Sequence, residues 1–423
     1  MPESLRLAIV GCGGMGHRHL YGLAELQRAG LSRFELVGVC DPDQENARSL
    51  AGEAEKYLGK RPAMVDHLKA LSEVCGVQAV DICTDPRHHH TLTVEALYRG
   101  WDGMVEKPMG LTVRACHLMC QAARETGRTL AVAENYRRDP MNRLAHAILN
   151  REVIGPPRLF IHNAIGGGDR MLISVWRHQK NRSGILLDVG VHFADIMEYF
   201  LGEATTVYSQ TRLYERIRKN PVAGKDEVER TSPAGVYERW QKYMPAEFEA
   251  TAEDAAYATI LFKSGAVAQY TEDHAGHGRG VWQRSIYGSK GSIDLPGDRS
   301  GGRIRLTMDG QETIDDHRLL DLVPDFRLDD VTAKLFGGDR LYEYTLPFTE
   351  IDRKIIAIEY HDFADAILTG RPPEVGADWG ARSVALSYAI LESGVANRAV
   401  TVEEVLEDRT NVYQQEINTN LGL

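Results

Sequence analysis

In the first third of the chain, short apolar runs alternate with longer segments whose apolar positions recur every three to four residues. Leu7, Ala8, Ile9 and Val10 follow one another with almost no polar break, which predicts a strand from Leu5 to Val10 covered on both faces. A helix is predicted from about His17 to Ala29, a strand from Phe34 to Cys40 and a helix from Gln44 to Tyr57. The pattern continues with a strand from Ala79 to Thr84, a helix from Thr91 to Gly100, an apolar step at Met104-Val105, a helix from Thr112 to Thr126 and a strand from Leu130 to Ala133. Such alternation predicts a doubly wound parallel sheet occupying residues 1–138.

The pattern then changes. Asp139-Pro140 predicts the cap of a helix from Met141 to Asn150 and the crossing into a second unit, residues 139–423. Strand-like runs at Leu159 to Ala164, Tyr257 to Phe262, Ala266 to Thr271, Arg284 to Tyr287 and Gly291 to Leu295 come with hairpin turns such as Lys263-Ser264-Gly265, so the second sheet is predicted to be largely antiparallel. Two amphipathic helices, about Ile356 to Thr369 and Trp379 to Asn397, enclose Gly370-Arg371-Pro372-Pro373. Residues 213–250 read as an insertion: mixed charge, then Tyr237, Trp240 and Tyr243, predicting either a plain solvated surface excursion or, as the sharper alternative, a lid or a subunit arm.

Length and composition narrow the function. The 423 residues fit two or three domains, and 43% hydrophobic residues suffice for large cores. The net charge of 49 − 60 = −11 argues against nucleic acid as a partner. No apolar run approaches the roughly 18 residues of a membrane span. The N-terminus runs into the first strand without the charged and apolar regions of a signal peptide, so a cytoplasmic location is expected. Cys12, Cys40, Cys75, Cys83, Cys116 and Cys120 mostly fall inside apolar elements, as reduced core residues do.

Chemistry enters at the strand ends. Gly11-Cys12-Gly13-Gly14-Met15-Gly16 matches G-x-G-x-x-G between a strand and a helix. Gly11 permits the tight turn, Gly13 lets backbone approach a pyrophosphate and Gly16 lets helix pack on strand, with the helix N-terminus aimed at the phosphates. Asp41, at the next strand end, is placed to accept from adenosine ribose hydroxyls and to repel a 2′-phosphate, which favours NAD over NADP. Thr84, Pro86, His88 and His90 are expected beside the cofactor; adjacent His88, His89 and His90 cannot converge easily on one ion, so no metal is expected. Val105-Glu106-Lys107-Pro108 offers a lysine where such a sheet delivers catalytic groups. Asp188 and His192 are four apart behind a glycine-containing start, predicted to share one helix face.

These blocks, in this order and spacing, make the chain resemble the Gfo/Idh/MocA family of NAD(P)-dependent oxidoreductases, which includes inositol and sugar dehydrogenases. The resemblance covers nearly the whole chain except 213–250 and parts of 296–350. It implies a Rossmann domain followed by an α/β domain with a large open, mostly antiparallel sheet, which often makes a dimer or tetramer contact. It implies catalytic roles for Lys107, Asp188 and His192, cofactor contacts from Glu106 and Lys107, and a sugar pocket near Trp176 and Arg177, with Tyr136, His274 and His277 as looser candidates. The activity expected is hydride transfer from a secondary hydroxyl of a cyclic polyol or sugar to NAD, with His192 as base, Lys107 on the reacting oxygen, and Asp188 either orienting His192 or accepting a substrate hydroxyl. Two alternatives use the same parts: a sugar-modifying enzyme that retains NAD and oxidises transiently, and a non-catalytic NAD-binding relative.

Overall fold

The computed structural model describes residues 4–74, 76–225 and 237–423. Cys75 and residues 226–236 of the expected insertion lie outside them. The N-terminal sheet has six parallel strands in the order β3-β2-β1-β4-β5-β6, where β1 is Leu5–Val10, β2 Phe34–Cys40, β3 Ala63–Val65, β4 Ala79–Ile82, β5 Asp102–Glu106 and β6 Leu130–Ala133. The order reverses between β1 and β4, opening a crevice at the carboxyl ends of the strands. The short β3 and the helix Leu68–Val74 were not among the expected elements; three residues carry too little periodicity to declare a strand. The first helix starts at Gly14, three residues before its expected start.

The second sheet has eight strands in the order β15-β14-β13-β7-β12-β11-β8-β16. They are β7 Pro157–Gly167, β8 Ala204–Arg212, β11 Ala255–Phe262, β12 Val267–Gly276, β13 Val281–Gly288, β14 Gly291–Asp294, β15 Arg305–Met308 and β16 Val400–Thr401. Between them in the chain, β9 Ile217–Lys219 and β10 Glu247–Glu249 form a separate two-stranded ladder. All pairs in the large sheet are antiparallel except β7 with β12. One face, with Phe160, Val207, Ile260, Ala268 and Ile286, is buried in the core beneath the helices Gly190–Leu201 and Ala377–Ala396. The other face carries exposed Tyr208, Tyr257, Leu261, Val281 and Tyr287.

The helix Phe348–Thr369 belongs to the second half of the chain but returns to the first sheet's side. It packs on the helix Gly14–Arg28 so closely that a Cβ on Gly22 would lie 2.5 Å from Ile356. Tyr360 donates to the buried Asp81 of β4, and Phe363 meets Phe34 with ring centres 5.7 Å apart. Among the described residues no helix is long and apolar enough to cross a membrane, and the five described cysteines are free and buried.

Candidate functional site

The glycine loop is shaped by contacts that admit no side chain. Gly11 has φ +96°, and a Cβ there would sit 2.8 Å from the Cys83 carbonyl carbon at the end of β4. A Cβ on Gly16 would meet the Gly11 carbonyl oxygen at 2.2 Å, whereas one on Gly13 would meet open space. The loop is therefore pulled tight on the strand side and open at Gly13, which fits backbone approach to a pyrophosphate there. The Asp41 carboxylate accepts from the Cys12 and Asp43 backbone N–H groups, at 2.8 Å each. Burial raises its pKa while those bonds oppose the rise, and each oxygen keeps a lone pair for a ribose hydroxyl. A cavity of about 680 Å³ runs from Asp41 past Gly11, Gly13, Gly14 and Met15 to Thr84 and Trp176, roomy enough for a dinucleotide.

The histidine run meets expectation at His88 and departs from it at His90. His88 lines this cavity, whereas His90 is buried at the start of the helix His89–Tyr98 with its Nδ1 unpartnered among the described residues. The 3₁₀ turn Pro86–His88 swings successive side chains apart, so only one of the three faces the cleft. His89 ties strand ends together instead, its Nδ1 2.9 Å from the Pro108 carbonyl.

The segment after residue 236 leans onto the glycine loop. Tyr237 is buried, and a Cβ on Gly14 would come within 2.3 Å of its ring. Arg18 donates to the Tyr237 hydroxyl at 3.2 Å, and the Trp240 indole donates to Asn46 at 3.2 Å. This end of the expected insertion packs on the first domain, and nearby Arg218 is wholly buried against Asp254, 2.7 Å away.

At the other end of the cleft lies a smaller cavity of about 130 Å³, where Lys107, Tyr136, Trp176, Arg177, Asp188 and His192 meet. Lys107 follows the last residue of β5, before a cis Pro108, and its Nζ donates to the Asp188 carbonyl at 2.9 Å and to Asp188 Oδ1 at 3.1 Å. Arg177 Nε donates to Asp188 Oδ2 at 2.8 Å. Burial works against the Asp188 charge, but these two cations hold its carboxyl well below the usual carboxylate range. Glu106 lines the same cavity and accepts from buried His19 at 3.0 Å. Burial is again outweighed, here by His19, and the Glu106 carboxyl is pulled down to about 2. His19, Asp81 and Cys83 cluster tightly, but they hydrogen-bond one another and Tyr360, which accounts for the grouping without an ion.

His192 does not pair with Asp188. The helix breaks between them: a single turn, Ile185–Asp188, ends before Gly190–Leu201 begins, so the four-residue spacing no longer sets a common face. Asp188 turns to Lys107 and Arg177, while His192 Nδ1 lies 2.7 Å from Glu134 Oε1 and 2.8 Å from Oε2. The Tyr136 ring stacks on the imidazole, centres 4.2 Å apart and planes within 1°. Burial raises the Glu134 pKa, but the charge of and bond to His192 outweigh it and leave the carboxyl below its ordinary value. His274 and His277 are not brought to the site; they pair with Glu272 and Glu215.

Glu134, Arg18, Asn135 and Arg299 escaped the sequence reading. Glu134 had a signal, since it follows β6 as Glu106 closes β5, and carboxyl ends of parallel strands carry the chemistry of such sheets. Arg18 and Arg299 had none: they meet only through Asp352, far away in the chain.

Residues 5–134 match the Gfo/Idh/MocA model described as an oxidoreductase family NAD-binding Rossmann fold, and residues 147–402 match that family's C-terminal alpha/beta domain. Among curated relatives, D-apiose dehydrogenase of Paraburkholderia graminis is 28% identical over 227 residues, 52% of this chain and 54% of that protein. The chain thus spans about half the length of that relative. D-glucoside 3-dehydrogenase of Escherichia coli is 25% identical over 304 residues, 71% of this chain and 77% of that protein. Among solved structures, levoglucosan dehydrogenase in complex with NADH and levoglucosan superposes with a TM-score of 0.73 at 21% identity, covering 95% of this chain and 100% of that one.

Proposed function

The chain belongs to the Gfo/Idh/MocA oxidoreductase family, with an NAD-binding Rossmann domain, and on that premise we propose that it takes a hydride from the carbon bearing a secondary hydroxyl of a cyclic polyol, sugar or glycoside. When bound, NAD supplies the hydride acceptor. The observation that carries the reading is the Glu134–His192 pair opposite Lys107. An ionised Glu134 accepts a hydrogen bond from Nδ1–H, which leaves Nε2 of the cavity-lining His192 with its lone pair open as a base for the substrate hydroxyl. Lys107 has given two of its donors to Asp188 and keeps a third for the reacting oxygen, whose negative charge it stabilises as the proton departs. Asp188 anchors Lys107 and Arg177 and so acts as a positioning residue. In reverse, the same groups reduce a ketone. A screen of inositols, aldoses, uronates and glycosides by NADH absorbance, with NAD and NADP, tests the reading; no turnover with any of them by wild type would refute it.

A second reading, oxidation with retained NAD, is favoured by Tyr237 and Trp240 lying against the phosphate loop and its helix. It expects NAD to copurify with the protein and Trp240→Ala to release it faster. Apoprotein straight from purification would count against it. The exposed sheet face with Tyr208, Tyr257 and Leu261 supports a homodimer or homotetramer.

A further inference from the structure

We propose that the substrate carries a carboxylate, as a uronic or aldonic acid does, and that Arg299 receives it. The proposal rests on the sugar-oxidation reading above and adds the substrate class.

The charge on the Arg299 side of the small cavity is locally unbalanced. Arg18, Lys107, Arg177 and Arg299 all reach its wall. Asp188 serves both Lys107 and Arg177. Asp352 serves both Arg18 and Arg299. The remaining carboxylates nearby are engaged elsewhere, Glu106 by His19 and Glu134 by His192. Around Asp352 two guanidiniums thus share one carboxylate, and a buried charge without a full counter-charge is costly. A neutral sugar leaves the excess in place; an anionic one removes it.

Arg299 is the cation with spare bonding capacity. Its backbone has φ +56°, a conformation an arginine rarely adopts. The strained turn is held from several sides. Asp298 binds Arg284 through both oxygens, at 2.5 and 2.9 Å, and accepts from Asn142 at 3.2 Å. The Arg299 N–H donates to Asp139 at 2.7 Å. The guanidinium carbon then lies 5.2 Å from the Tyr136 ring centre and 4.9 Å from that of Phe348. Its one hydrogen bond among the described residues is Nη1 to Asp352 at 3.1 Å, and its Nε is buried without a partner. A guanidinium offers five N–H donors in a planar fork that matches a carboxylate, so most of this fork is unused. His192 and Arg299 line the same cavity and both contact the Tyr136 ring, so a base and a cation border one small space, the first for the sugar's hydroxyl and the second for its exocyclic carboxylate. Asn135 Oδ1, also buried and unpartnered beside this cavity, is an acceptor for a further hydroxyl.

The test compares matched substrates and one substitution. With wild-type enzyme and NAD, kcat/KM is measured for glucuronate, galacturonate and gluconate, for the parent neutral sugars, and for glucose 6-phosphate. The carboxylates are expected to exceed their neutral counterparts by about 10- to 100-fold, the scale of one hydrogen-bonded charge pair. Arg299→Gln is expected to erase most of that ratio through KM, and Arg299→Lys to restore part of it. A preference for neutral sugars or for the phosphate ester overturns the proposal, as does an unchanged ratio in Arg299→Gln. Binding is read separately, by calorimetric titration of the NADH-loaded wild type, which cannot oxidise, with glucuronate and with glucose. Tighter glucuronate binding upholds the carboxylate site even if no turnover is found and the dehydrogenase reading falls; equal binding overturns it, and this arm decides the matter if Arg299→Gln fails to fold.

Discussion

Glu134→Gln isolates the group that the sequence reading missed. Oε1 and Oε2 lie 2.7 and 2.8 Å from His192 Nδ1 in a buried setting. When His192 takes the substrate proton, the ring becomes a cation beside this carboxylate. For charge centres about 4 Å apart at an effective dielectric of about 20, the attraction is about 4 kcal/mol. At roughly 1.4 kcal/mol per decade that is about three decades of rate. Glutamine keeps the shape, removes the charge and can turn its amide N–H toward Nδ1, which leaves the proton on Nε2 and no base facing the cavity. The expected result is a fall of about 10³-fold in kcat/KM for oxidation, with NAD affinity preserved because Glu134 stands apart from the phosphate loop. The assay is initial-rate NADH absorbance on the best substrate from the screen, alongside an NAD titration and a melting curve that confirm folding. A variant that retains more than about a tenth of wild-type kcat/KM would refute the Glu134–His192 assignment.

Lys107→Ala should cut turnover by at least about a hundredfold with little change in the NAD dissociation constant, since one electrostatic donor is lost; near-full activity on the true substrate would remove Lys107 from the mechanism. Asp41→Ala should narrow the preference for NAD over NADP, measured as the ratio of their dissociation constants, because the group repelling a 2′-phosphate is gone; an unchanged ratio would send the discrimination elsewhere. Glu359 is buried with both carboxylate oxygens unpartnered among the described residues, and burial first, then Glu106 and Glu134, push its pKa from 4.5 up to about 8. A raised folded pKa means stability is lost as pH rises through that value, so Glu359→Gln should melt above wild type by a margin that opens between about pH 5 and pH 8 and then stays level; a margin independent of pH would contradict it.

Some of this architecture is written locally and some is not. β1, β2 and the glycine loop were legible because buried parallel strands are continuous apolar runs and the loop needs its glycines at set offsets. β8 was not: Ala204–Arg212 reads Ala-Thr-Thr-Val-Tyr-Ser-Gln-Thr-Arg, and its inward Ser209 is satisfied by Ser393 and Ile390 of a distant helix. Lys107, Asp188 and His192 were legible as residues and do converge on one cavity, but their partners were not. Helical spacing assumed an unbroken helix where the chain restarts at Gly190, and Asp188 was drawn to cations from elsewhere in the fold. Of the two histidines expected beside the cofactor, His88 lines the cavity and His90 is buried, since successive side chains along the turn and helix point in different directions.

The return of Phe348–Thr369 to the first sheet has a practical consequence for recombining such enzymes. Leu7, Ile9, Leu20 and Leu23 share one core with Ile351, Ile355, Tyr360 and Phe363. A fragment cut near residue 138 would carry every expected cofactor residue yet present a bare apolar flank, with Arg18 and Asp81 stripped of their partners on that helix. A chimera meant to exchange cofactor preference therefore has to transplant two separate stretches, the N-terminal segment and this helix, or rebuild the seam between donor and host side chain by side chain.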